Sequence, residues 1–218
     1  MGRQRKQAFF ALKDAFGLGV IRTAPVSLAV TSAPVGAGSF AVFTKRGLPV
    51  TVRQTGGIHV VVIDRAAGTV SAIRRFDTET SPAVECASLR SFALSLRAGD
   101  VVLAAIAGSA VPFGATMASS VMAPCAEGLA RIGGRRVLDI QPQQAWTLIG
   151  LAGPVPGNVA EALGDAQQPA TSSADVSLDA DRDGTADAQD ADNDNDGISD
   201  GTERVNGTDV LDPRPSSL

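Results

Sequence analysis

Residues 179–203, DADRDGTADAQDADNDNDGISDGTE, carry ten carboxylates against one arginine, and no other stretch of this 218-residue chain restricts its folding so tightly. Like charges about 4 Å apart repel by about 1 kcal/mol per pair even in water. The segment therefore needs either full solvation or a cation. Laid on itself with an offset of thirteen residues, it falls into two copies. Asp179, Asp181, Asp183, Gly184, Asp187 and Asp190 align with Asp192, Asp194, Asp196, Gly197, Asp200 and Glu203, so each copy reads D-x-D-x-D-G-x-x-D-x-x-[D/E].

That spacing is what a calcium loop requires. Calcium takes six to eight oxygens, supplied by side chains at loop positions 1, 3, 5, 9 and 12 and by a backbone carbonyl at position 7, with glycine at the sharp turn of position 6. The position-7 carbonyls belong to Thr185 and Ile198, and every ligand slot is filled in both copies. The segment is expected to take up about two calcium ions, in the range of roughly 10⁻⁴ to 10⁻³ M typical of extracellular modules, and to be disordered without them. A merely solvating acidic tail has no need of a glycine at one fixed slot or of a register held at six positions.

An EF-hand is the first family to weigh, and Glu203 supplies its usual last ligand. Only Ala191 separates the two loops, which leaves no room for flanking helices, and the apolar Ile198 falls at position 7 instead of 8. The stretch DNDNDGISDGTERVNGTDVLDP (192–213) instead resembles thrombospondin type 3 repeats in their bacterial form. That resemblance covers about 179–213 and implies calcium-filled spacers on secreted or surface proteins.

With the acidic block set aside, the remaining chain carries about +5 of charge against −4 for the whole. Its Arg and Lys are scattered, and eight Phe, one Trp and no Tyr leave little to stack on bases, so nucleic acid is not an expected partner. Residues 1–25 open with Arg3, Arg5 and Lys6 and an apolar stretch, but Lys13 and Asp14 interrupt it and no secretion signal is evident. Phe9, Leu12, Phe16 and Val20 suit one face of a short helix, packed on the domain or lying on a membrane. Residues 101–126 have no charge, yet VVLAAIA reads as a buried strand, GSAVPFG as a turn, and Val121, Cys125, Leu129 and Ile132 as a helix face. No transmembrane segment is expected.

Residues 26–163 read as a mixed α/β domain. Expected strands are 26–31, 40–44, 50–53, 58–64, 69–76, one from Val101, 136–140 and 146–151, with DRAAG turning between the fourth and fifth. Ser81 before Pro82 starts a helix whose buried stripe is Leu89, Phe92, Ala93 and Leu96. GDAQQPATSSAD at 164–175 has linker composition, which sets the boundaries at 1–25, 26–163, 164–178 and 179–213.

GGIHVVVIDRAAGTVSAIRRFDT (56–78), VVLAAIA (101–107) and QAWTLIG (144–150), in this order, resemble the ILEI/PANDER domain of the interleukin-like EMT inducer family. The resemblance implies a two-sheet sandwich flanked by helices, extracellular and without known catalytic chemistry, in a family that includes secreted signalling proteins and carbohydrate-binding stems. Gln143, Gln144 and Ala145 stand where the family has an arginine and a polar residue, and Gly108 where an aspartate is common. Both departures thin the polar groups of a glycan pocket.

Catalytic chemistry has few candidates. His59 is the only histidine, and it sits in a strand; Asp77, between Phe76 and Thr78, suits a turn. The Gly56-Gly57 and Gly133-Gly134 pairs lack the third glycine of a phosphate cradle. Cys86 and Cys125 each fall on an apolar helix face, either as two buried thiols or, in an extracellular setting, as one disulfide. The expected function is an extracellular, non-catalytic interaction module carrying two calcium loops and binding a protein or glycan at a cell surface or in the extracellular matrix. The alternatives are a dedicated carbohydrate-binding, lectin-like domain and, third, an enzyme using His59 or Asp77.

Overall fold

Two runs of seven consecutive buried residues, β4 (Gly57–Ile63) and β6 (Val101–Ala107), set the architecture. A strand buried on both faces must lie inside a sheet covered on both sides. A computed structural model, describing residues 24–214, places these two strands side by side, antiparallel, with His59 opposite Ala105. They are the centre of a five-stranded sheet of order β5-β4-β6-β7-β8, completed by β5 (Val70–Phe76), β7 (Trp146–Leu151) and β8 (Gly157–Leu163).

One face of this sheet is covered by two helices. Ile58, Val60, Val62, Val102, Ala104, Ile106, Trp146 and Leu148 pack there against α1 (Pro82–Ser95) and α2 (Ala123–Arg131). Proline in the first turn of each helix costs no internal hydrogen bond, which suits both starts. Cys86, Leu89 and Ala93 of α1 meet Cys125 and Leu129 of α2, and Cys86 and Cys125 form a disulfide with their Cα atoms 4.4 Å apart. Phe92 and Leu96 are only partly buried, at the margin of this core. Val121 is exposed and Met122 takes the inward position, because α2 begins two residues after Val121.

The opposite face meets a second sheet of order β3-β2-β1-β9, built from β1 (Val26–Ser32), β2 (Ala41–Lys45), β3 (Leu48–Arg53) and β9 (Ala170–Val176). Hydroxyls stitch the two layers. Ser32 Oγ donates to the Ile106 carbonyl at 2.5 Å and accepts from the Trp146 amide at 3.1 Å, and the Thr147 and Ser172 hydroxyls lie 2.8 Å apart. The result is the expected mixed fold of two antiparallel sheets with helices on one side.

Two expectations are corrected, and two further elements are added. Residues 164–178 are not a linker, because β9 occupies 170–176 as an edge strand. Its alternation is written in Ala170, Ser172 and Val176 pointing inward, residues too small and polar to read as a strand from composition. The domain therefore does not end at 163. β8 was not anticipated, since GNVAEAL has no apolar alternation and is only half-buried. RRVLDI at 135–140 forms a 3₁₀ turn (Val137–Asp139), not a strand. The second acidic copy ends inside a short helix, α3 (Asp200–Asn206), entered through Ser199, whose hydroxyl accepts from the Thr202 amide, and left through Gly207 at φ +70°. The candidate helix at the N-terminus lies outside the described residues.

The chain divides into two compact units. The larger comprises Ser27–Asp64 and Thr69–Asp175; the smaller joins the β4–β5 turn, Arg65–Gly68, to the chain from Val176 onward. Among the described residues no helix is long and apolar enough to cross a membrane.

Candidate cation loops

The two copies of the acidic repeat fold alike. Position 4 is left-handed in both, Arg182 at φ +67° and Asn195 at φ +55°, and so is the position-6 glycine, Gly184 at +104° and Gly197 at +89°. Short carboxylate-to-amide bonds produce this winding. Asp181 and Asp194 accept from the amides of Asp183 and Asp196, and these accept in turn from the amides of Thr185 and Ile198. Such turns are the habitual local chemistry of aspartate. They gather Asp179, Asp181 and Asp183 into one triad and Asp192, Asp194 and Asp196 into another, with one oxygen of each residue within 4.8 Å of the others.

One oxygen of most of these carboxylates is spent on such a bond; the other is buried and has no partner. Asp179 Oδ1, Asp181 Oδ2, Asp187 Oδ2, Asp192 Oδ1, Asp194 Oδ2, Asp196 Oδ2 and Glu203 Oε2 all stand so. Burial of an unpaired charge is costly, and several like charges in one place compound the cost. The protonation equilibria record this. Burial raises the carboxyls of Asp179, Asp187 and Asp194 above the ordinary aspartate value. Burial, with Asp194, Asp196 and Asp200 nearby, pushes Glu203 up to about 7. Unpartnered carboxylate oxygens, three in the first loop and four in the second, fit a hard divalent cation in each better than any neutral occupant.

The position-9 residues have a different task in each loop. Asp187 Oδ1 accepts from the Ala180 amide at 2.7 Å and keeps its second oxygen free. Asp200 spends both, on the Asn193 amide and side chain (3.0 and 2.9 Å) and on Arg204 at 2.8 Å. In the second loop Asp200 thus braces position 2, and Asn193 Oδ1 joins the unpartnered oxygens. Asp190, at position 12 of the first loop, caps the Asp192 amide, whereas Glu203 reaches back from α3 with its Oε1 held by Thr208. The carbonyls of Thr185 and Ile198 occupy position 7 as the spacing requires.

Two participants escaped the sequence reading. Asn193 sits at an unspecified position of the motif, and its difference from Ala180 in the other copy was the only available signal. Arg65 lies 114 residues from its partner Asp179, which its Nη1 meets at 2.9 Å. Nothing local announces such a pair.

Elsewhere, His59 is 1% exposed, with Nε2 2.7 Å from the Thr55 carbonyl and Nδ1 buried without a partner. Burial pushes its imidazole below the ordinary 6.5, and the Arg75 and Arg53 charges push the same way. Asp77 pairs with Arg75 at 3.0 Å and accepts from the Thr80 amide at 3.4 Å, ordering the turn into α1. Trp146 is fully buried and donates from Nε1 to Glu161 at 2.8 Å. The paired glycines are backbone contacts: a Cβ at Gly57 would stand 2.3 Å from the Phe76 carbonyl oxygen, and one at Gly133 2.1 Å from that of Gly157.

No curated protein matches the chain. Residues 56–154, which hold four of the five strands of the larger sheet and both helices packed on it, match the family described as Interleukin-like EMT inducer.

Proposed function

We propose that this protein is an extracellular, non-catalytic interaction module whose C-terminal tail binds two calcium ions in loops of the thrombospondin type 3 kind. One observation carries the reading: two successive loops each bury carboxylate oxygens that no protein group satisfies. Asp179, Asp181, Asp183, Asp187 and Asp190, with the Thr185 carbonyl, would hold the first ion. Asp192, Asp194, Asp196 and Glu203, with the Ile198 carbonyl, would hold the second, with Asp200 as its brace. A bound ion neutralises the clustered charge and so fixes the tail's fold; many oxygens and no nitrogen or sulfur favour calcium over softer metals.

The extracellular setting is supported by the disulfide, which persists in oxidising compartments. The match of residues 56–154 to a family of interleukin-like inducers supports a role in engaging a protein partner. The lectin-like alternative has an observation of its own: a shallow cleft of about 480 Å³ on the four-stranded sheet, lined by Ser27, Thr44, Ser173 and Asp175. Glycan binding lost on Asp175→Ala would favour it.

Calorimetric titration of the whole chain with calcium, beside an Asp183→Ala/Asp196→Ala double variant, tests the main reading. Heat from two sites in the parent and its loss in the variant are expected; identical titrations would refute it.

A further inference from the structure

Asp179 is 3% exposed and faces two ways. Its Oδ2 accepts from Arg65 Nη1 at 2.9 Å, its Oδ1 is buried and unpartnered, and the carboxylate is clustered with those of Asp181 and Asp183, one oxygen of each within 4.8 Å of the others. Arg65 also donates from Nε to the Ser177 carbonyl at 3.1 Å, and its own carbonyl accepts from the Asp179 amide at 3.3 Å. Three residues on, a Cβ at Gly68 would stand 3.2 Å from a methyl of Leu178, itself 6% exposed. The turn Arg65–Gly68 and residues 177–179 thus hold one another by side chain, backbone and packing together. Both ends of that turn run straight into β4 and β5.

We infer that Arg65 is the positioning residue of the first cation loop and makes that loop a calcium-tightened clasp on the β4–β5 turn. The inference rests on the calcium reading above. The physical argument is that of a metal ligand held by an outer hydrogen bond. A carboxylate whose one oxygen is fixed by a guanidinium presents its other oxygen in a single orientation, and losing such an outer partner lowers metal affinity 10- to 100-fold. The guanidinium charge opposes a nearby divalent cation, but Arg65 is largely shielded by the carboxylate it binds, so orientation outweighs repulsion. Linkage makes the effect reciprocal. Whatever factor the clasp adds to calcium affinity, calcium adds to the clasp. Among the described residues the second loop has no such tie: its first aspartate, Asp192, accepts instead from Gly197 within the loop, and its brace, Asp200, is paired with Arg204 four residues along α3. The two sites therefore have different tasks, the first fastening the tail to the turn and the second closing α3.

Hydrogen exchange of the full chain, with calcium and with chelator, tests this. In the parent, calcium should slow amide exchange at 65–68 as well as at 179–203. In Arg65→Ala the second loop should still be protected by calcium, the turn should no longer respond, and the first site should weaken about tenfold. Asp181→Ala leaves Arg65 in place and removes a first-loop ligand, so it should abolish the response of the turn equally. Protection of 179–203 with an unchanged turn in the parent, or a turn that responds equally in all three proteins, overturns the clasp while leaving the calcium reading intact. No protection of either loop at millimolar calcium overturns both.

Discussion

Gly128 of α2 lies against Leu89 and Arg90 of α1, and replacing it by alanine sets two effects of known size against each other. Alanine is the better helix former by about 0.8–1 kcal/mol. A Cβ at Gly128, however, would stand 2.4 Å from Leu89 Cδ2 and 3.0 Å from the Cα of Arg90. Leu89 is 1% exposed, so its side chain has no free space to enter, and the Arg90 contact is backbone. Separation of the helices is resisted by the Cys86–Cys125 bridge, which lies three residues before the contact on each of them. Overpacking of a rigid core costs about 1–3 kcal/mol. The clash outweighs the propensity gain, and Gly128→Ala should destabilise the larger unit by about 1–2 kcal/mol. Urea denaturation of the oxidised protein should show the midpoint falling by roughly 0.5–1 M at unchanged slope. A midpoint equal to or above that of the parent would refute the close approach of the two helices.

Removing the bridge by Cys86→Ala/Cys125→Ala opens a loop spanning 39 residues and should cost about 4 kcal/mol of stability, read from the same urea curves. A loss under 1 kcal/mol would argue against the bridge. A chain ended at residue 163 lacks β9 and should unfold with a lower midpoint and a shallower transition than one ended at 178; equal curves would mean that β9 contributes nothing to the second sheet. His59 is held neutral by burial, so its folded pKa lies below the unfolded value of 6.5. The stability it contributes is present above pH 6.5 and is lost as pH falls through the folded value, a slope that should flatten in His59→Asn. The cation-free tail runs the other way. With Glu203 pushed up to about 7, its contribution is complete below about 4.5, the ordinary glutamate value, and is lost as pH rises through 7.

The parts of this fold that announced themselves are those with strong apolar signals. GIHVVVI and VVLAAIA could only be strands buried on both faces, and Cys86, Leu89 and Ala93 mark one helix face at the expected spacing. β8 and β9 did not announce themselves because edge strands of small and polar residues lack that contrast. ATSSADV is held by partners far away in sequence, Thr171 by Thr31 on the neighbouring strand and Ser172 by Thr147 on the facing sheet. The winding of the two loops follows from local chemistry, since Asp181, Asp183, Asp194 and Asp196 each accept from the amide two positions on. The helix that ends the second copy was written too, in Ser199 and Gly207, but the loop spacing overlaid it. Arg65 had no local signal at all, because its only meaning is its distance to Asp179 in space.

Whether the buried carboxylates exist to hold calcium is tested most directly by counting ions. Equilibrium dialysis of the whole chain against 1–2 mM calcium in the presence of excess sodium should find about two ions per chain, and magnesium at the same concentration should displace few of them, because it demands a tighter octahedron and gives up water reluctantly. No bound calcium under these conditions, or equal uptake of magnesium, would contradict the account.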